Sequence, residues 1–179
     1  MKKFLLSLPI VALMAVFSFG DGPQNALSVD LGPTLEAALL GGTGVGVSYE
    51  RLIGANFSAM LKFSYIGIDY NSYGITLDVT EIDPGIEARF YISPAAISGF
   101  YIGAGFEDYI VSGTISGTSI SGSANVPAVD ILIGDKITIG LPVFGFMIEP
   151  YVGYGIGFAK VNGTTIAGFE GGARLGVYF

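Results

Sequence analysis

Residues 169–179 alternate in character, with Phe169, Ala173, Leu175, Val177 and Phe179 on one parity and Glu170, Gly172, Arg174, Gly176 and Tyr178 on the other. A period of two belongs to a β-strand, so this segment has one apolar face and one polar, glycine-rich face. A soluble barrel turns its apolar face inward. Here the polar parity is small enough to line only a narrow lumen, which leaves the apolar parity for lipid. That inverted arrangement specifies a transmembrane β-barrel.

The pattern recurs in eight segments, at about 26–35, 43–53, 55–68, 78–93, 97–113, 124–139, 143–160 and 164–179. The seventh is the clearest. Phe144, Phe146, Ile148, Pro150, Val152, Tyr154, Ile156 and Phe158 share one face, and Gly145, Met147, Glu149, Tyr151, Gly153, Gly155 and Gly157 share the other. In the sixth, Asp135 interrupts the apolar parity, which places it near an interface or on a bulge. Eight antiparallel strands close without a free edge. The fold class expected is therefore all-β, a closed up-and-down barrel of eight strands.

Connections alternate in kind. Tight ones fall near Gly54, Ser93-Pro94-Ala95 and Gly140-Leu141-Pro142, and looser ones near 36–42, 69–77, 114–123 and 161–163. The serine- and glycine-rich run 112–122 is expected to be a mobile outer loop. Aromatic residues form two girdles, Phe57, Phe90, Phe100, Phe144 and Phe179 low, and Tyr65, Tyr70, Tyr73, Tyr109 and Phe158 high. Pro84, Pro127 and Pro150 lie within strands, where each removes a ladder donor and is expected to mark a bulge.

Residues 1–20 read as a cleaved secretory signal, with Lys2-Lys3, an apolar core from Phe4 to Phe17, and small residues at Ser18 and Gly20. Residues 21–179 then form the barrel. Of eight basic residues two lie in that leader, so six remain against fifteen acidic ones and the mature chain stands near −9. That balance excludes a nucleic-acid partner. The chain has no cysteine, hence no disulfide or thiolate metal site.

Ionisable residues on the inward parity divide into two groups. Asp30, Glu50, Lys62, Glu87, Arg89, Lys136, Glu149 and Arg174 lie within about seven residues of the periplasmic strand ends, four acidic and four basic. Glu107, Asp130 and Glu170 lie further up and are all acidic. The interior of an eight-stranded barrel is just wide enough for side chains to fill, and a lone ion there carries a desolvation cost of several kcal/mol. The lower charges are therefore expected to form a salt-bridged network, with Arg174 on Glu149 or Asp30 and Lys62 on Glu50 or Glu87. The upper three form an acidic lumen. Asp69, Asp78, Glu81 and Asp83 read as outer groups that solvate the surface.

Histidine is absent, which removes the usual general base near neutral pH and every Ser-His-Asp arrangement. No catalytic residue, metal site or cofactor is expected. Gly153-Tyr154-Gly155-Ile156-Gly157 begins like a dinucleotide fingerprint, but it lies in an alternating strand with no helix behind it.

These features together resemble the small outer-membrane β-barrel superfamily, the group of the OmpA transmembrane domain, OmpX, OmpW and the opacity proteins. The resemblance covers residues 21–179 and rests on the signal, the eight segments, Tyr101-Ile102-Gly103-Ala104-Gly105-Phe106 and the terminal Arg174-Leu175-Gly176-Val177-Tyr178-Phe179. It implies that Phe179 is read by the barrel-insertion machinery. It also implies a monomer in a bacterial outer membrane, reached through the periplasm and in contact with lipopolysaccharide or an equivalent outer-leaflet lipid. The role expected is non-enzymatic: a structural or surface protein with at most a narrow, cation-preferring path. The alternative, from the OmpW resemblance, is binding or transport of small hydrophobic molecules through the wall.

Overall fold

The structure is a computed structural model that describes residues 24–72, 75–92, 97–161 and 164–179. The leader, Tyr73, and the turn at Ser93-Pro94-Ala95 lie outside the described residues. The strands are β1 (Asn25–Asp30), β2 (Thr43–Leu52), β3 (Phe57–Ser72), β4 (Ile75–Tyr91), β5 (Gly99–Ile115), β6 (Ser121–Leu141), β7 (Phe144–Val161) and β8 (Thr164–Tyr178), with one helix, α1 (Gly32–Leu39), after β1. Each strand pairs antiparallel with its sequence neighbours, and β8 pairs with β1 to close the barrel.

The register fixes the strand tilt. From Tyr178 the cross-strand partners run through Ala26, Glu50, Met60, Glu87, Gly105, Asp130 and Gly155 back to β8 at Gly168. One circuit thus climbs from Tyr178 to Gly168, a stagger that tilts the strands by about 40°. Every residue on that path has inward parity. The outward parity is apolar and exposed, as at Ile131 (66 %) and Phe146 (64 %). Water does not favour such a continuous apolar wall, whereas hydrocarbon does.

The two girdles hold in part. Phe57, Phe90, Phe100 and Phe144 project outward, and the Phe57 and Phe90 rings meet at 5.0 Å. Tyr109 is not in the upper girdle. It has lumen parity, shared with Glu107, and lines an internal cavity.

Three further expectations change. The first strand stops at Asp30 rather than running to residue 35. Pro33 stands in the first turn of α1, where a missing N–H costs nothing. Gly41, at φ 77°, closes the helix, with Gly41 N donating to Ala38 O and Gly42 N to Ala37 O at 2.7 Å. Residues 112–122 are largely strand, since β5 and β6 pair as far as Thr114 and Ser121. At Pro84 and Pro150 the ladder skips a rung without changing register, so neither marks a bulge. The register shift that does occur lies between Ile156 and Lys160. Asp135 is exposed beside Phe100 of the lower girdle, opposite the rung that Pro150 interrupts.

Candidate functional site

Inward parity delivers charged side chains from every strand into one narrow space. Desolvated there, they are stable only in contact with opposite charge and with hydrogen-bond donors. Glu149 on β7 occupies the centre of the lower layer and is fully buried. Its Oε1 accepts from Arg174 Nη1 at 2.7 Å and from the Tyr101 hydroxyl at 2.8 Å, and its Oε2 accepts from Arg89 Nη1 at 3.1 Å. Lys136 Nζ is 3.0 Å from the same Oε2. Four donors from four other strands therefore converge on one carboxylate.

Glu50 on β2 plays the matching part from the opposite wall. It accepts from Arg89 Nη1 at 2.9 Å and the Tyr91 hydroxyl at 2.7 Å, and also from Ser58 and Lys136. Arg89 Nε is held by Glu87 at 2.6 Å. Arg174 Nε donates to Asp30 Oδ2 at 2.8 Å, and Asp30 also accepts from the Tyr151 hydroxyl at 3.0 Å and from Gly32 N at 2.9 Å. The guanidinium groups stack as well: Arg89 lies 4.3 Å from the Tyr101 ring centre and Arg174 3.9 Å from that of Tyr151. Planar guanidinium groups suit this crowding because each meets two or three carboxylates and a ring face at once. The inward glycines make the room, since a Cβ at Gly134 would strike the Tyr101 ring and one at Gly103 the Glu87 carboxylate.

Lys62 departs from its expected place. It contacts Glu87 at 3.7 Å, but otherwise it reaches upward to Glu107 and to Asp130, the latter at 3.4 Å. Glu50, its other expected partner, is taken by Lys136 and Arg89. The lower layer thus holds Asp30, Glu50, Glu87 and Glu149 against Arg89, Lys136 and Arg174, with Lys62 as its lid.

Above that lid lies a cavity of about 570 Å³. Glu107 and Glu170 line it, with Asp130 packed just beneath. Two further carboxylates join them that the sequence reading had left on the outer surface. Asp83 is buried in the lumen, where the Ser64 hydroxyl donates to its Oδ2 at 2.6 Å, and Glu81 lines the same cavity. Alternation backward from Glu87 places both on the inward parity, a signal present in the sequence. Tyr91, Tyr101 and Tyr151, which carry so many of the network's hydrogen bonds, follow from the same parity rule. Asp69 and Asp78 do stand in the outer hairpin, as register partners, and Ser116 donates to Asp78 at 2.7 Å.

Phe179 lies where the barrel seam closes. Its carbonyl accepts from Asn25 N at 2.9 Å and its own N donates to Asn25 O at 2.9 Å. Among the described residues no group of histidine, cysteine or acidic side chains is arranged to hold a metal ion.

A scan against protein-family models finds no match, and a search of curated proteins finds none either. Solved structures do match. The chain is similar to Ail, the attachment invasion locus protein of Yersinia pestis, at 11 % identity over 88 % of this chain and 98 % of that one, with a TM-score of 0.52. The N-terminal β-barrel domain of Pseudomonas aeruginosa OprF matches at 16 % identity over 89 % and 98 % of the two chains, with a TM-score of 0.46. Neisserial surface protein A matches at 12 % identity over 86 % and 92 %, with a TM-score of 0.45. At 11 % identity the likeness to Ail is one of fold, a small closed barrel of the same extent.

Proposed function

We propose that this chain is a non-enzymatic, monomeric barrel of a bacterial outer membrane, a structural or surface protein whose lumen admits at most a narrow, cation-preferring path. The observation that carries the reading is the Glu149 cluster inside an apolar wall. Four donors meet on one buried carboxylate, and Arg89, Lys136 and Arg174 fill the lumen around it. The acidic groups above it, Glu81, Asp83, Glu107, Asp130 and Glu170, outnumber Lys62 and favour cations over anions at the outer mouth. Arrival there implies export of the leader-bearing chain, recognition of Phe179 by the insertion machinery, and contact with lipopolysaccharide or its equivalent.

Planar-bilayer recording tests this. The native barrel is expected to be silent or to show small cation-selective steps. Arg174→Ala and Glu149→Ala each open the lower layer and raise conductance, and neutralising Glu107, Asp130 and Glu170 abolishes the selectivity. Large, unselective native channels, or unchanged silence in both alanine variants, would count against a lumen closed by these ions.

A second reading, passage of small hydrophobic molecules through the wall, is favoured by one observation. β1 ends at Asp30 while β8 continues upward from its partner Arg174, so the wall between β8 and β2 is filled there by α1 instead of a strand.

A further inference from the structure

The breach beside α1 and the acidic cavity are one continuous space. The last backbone bond joining the first strand's end to β8 runs from Leu31 N to Ala173 O at 2.9 Å. Among the described residues no strand pairs with β8 on that side above Arg174. α1 stands in the gap, packed on β2 where Thr34 Oγ1 donates to Gly44 O at 2.8 Å. Leu35 and Leu39, one helical turn apart, line the cavity, as does Phe169 on the β8 edge. Leu39 and Phe169 are 88 % and 86 % exposed, so the rim of the opening is apolar, and Phe169 shares the outward, lipid-facing parity of β8.

The inner wall of the same cavity is acidic. Asp83 is 6 % exposed and lines the cavity beside the Glu81 carboxyl, and in its ionised form its Oδ1 has no donor. Glu170 lines it too, with its buried Oε1 likewise unpartnered. The lysine and arginine that line the cavity are already engaged, Lys62 by Glu107 and Asp130 and Arg174 by Asp30 and Glu149. A buried carboxylate oxygen without a donor is costly, and a bound cationic group removes that cost. The volume of about 570 Å³ lies within the range of small-molecule sites.

We infer that this cavity binds an amphiphilic cation, with an ammonium head between Asp83 and Glu170 and a single alkyl chain leaving through the breach between Leu35, Leu39 and Phe169. The head satisfies the empty oxygens, and the chain covers the apolar rim. Charge disfavours anionic amphiphiles. The inference rests on the wall-passage reading, in that the breach must admit the chain.

The test uses the full barrel in non-ionic detergent micelles, with native mass spectrometry to count bound molecules. Dodecylammonium, whose head carries three N–H donors, is the probe, with dodecyl sulfate, dodecanol and methylammonium as comparators. One dodecylammonium per barrel is expected, held at least about tenfold more tightly than any comparator. The double variant Asp83→Asn/Glu170→Gln weakens it by about tenfold or more. Gly168→Leu, whose added side chain meets open space inside the cavity, blocks the site without touching any carboxylate. Strand circular dichroism checks that both variants fold. If dodecanol binds as tightly as the probe, the cationic class is wrong while wall passage stands. If methylammonium binds as tightly, the breach plays no part and wall passage falls with the inference. Undiminished probe binding to folded Gly168→Leu or to the folded double variant also overturns it.

Discussion

Arg174 and Glu149 are cross-strand partners on β8 and β7, and the arginine Nη1 donates to the glutamate Oε1 at 2.7 Å. The bond joins the seam strand to the centre of the ion layer, because Arg174 also holds Asp30 on β1. Glu149→Ala leaves Arg174, Arg89, Lys136 and the Tyr101 hydroxyl without their common acceptor. Removing one partner of a buried ion pair costs about 3–5 kcal/mol. Urea unfolding from lipid vesicles should show a loss of that size. Tyr101→Phe, which deletes a single donor, should cost only about 1 kcal/mol.

Lys62 is the cation that meets both Glu107 and Asp130. Lys62→Met should therefore destabilise the barrel, and adding Glu107→Gln should recover part of the loss. A coupling of about 0.5–3 kcal/mol between the two positions is expected in a double-mutant cycle. Strict additivity would mean that Lys62 is held by other groups.

Gly44 sets the seat of α1. A Cβ there would meet Pro33 C at 2.7 Å and Ala37 Cβ at 3.0 Å. Gly44→Val should lift the helix off β2 and leave the barrel strands paired. Hydrogen exchange reads this directly: the Leu40, Gly41 and Gly42 amides, which donate to the Glu36, Ala37 and Ala38 carbonyls at the end of the helix, lose protection, while β5–β6 amides keep theirs.

Pro150 interrupts the β6–β7 ladder opposite Asp135 while the register on both sides is kept. Pro150→Ala supplies the absent donor without moving the strands. Stability should rise by about 1 kcal/mol in the same urea assay. A fall would show that packing of the proline ring on the outer face outweighs a ladder bond.

The barrel was legible because its rule is local. Alternation in Phe144–Phe158 or Phe169–Phe179 needs no knowledge of distant residues, and the parity of Arg174, Glu149 and Glu50 follows from it. Pairing was less legible, since two ions on one face can be assigned to partners only when the stagger is known. The climb from Tyr178 to Gly168 brings Lys62 up to Glu107 and Asp130 and leaves Glu50 to Lys136. Asp83 and Glu81 lay inside the expected fourth segment and obeyed its alternation, but were grouped with the loop carboxylates Asp69 and Asp78 nearby in sequence; β4 holds both on the lumen wall. α1 was hidden for another reason. Eight residues give barely two helical turns, too few for a period of 3.6 to stand out, although Gly32-Pro33 opening it and Gly41-Gly42 after it are start and stop signals.

Oil outside and ions inside is the claim on which the rest depends. The chain has no native cysteine, so single cysteines at Ile131, Ile133 and Val152 can each carry a small fluorophore on the outer parity. In vesicles, brominated acyl chains should quench all three labels and aqueous iodide should leave them bright. Quenching by iodide with no response to brominated lipid would contradict a membrane-embedded wall.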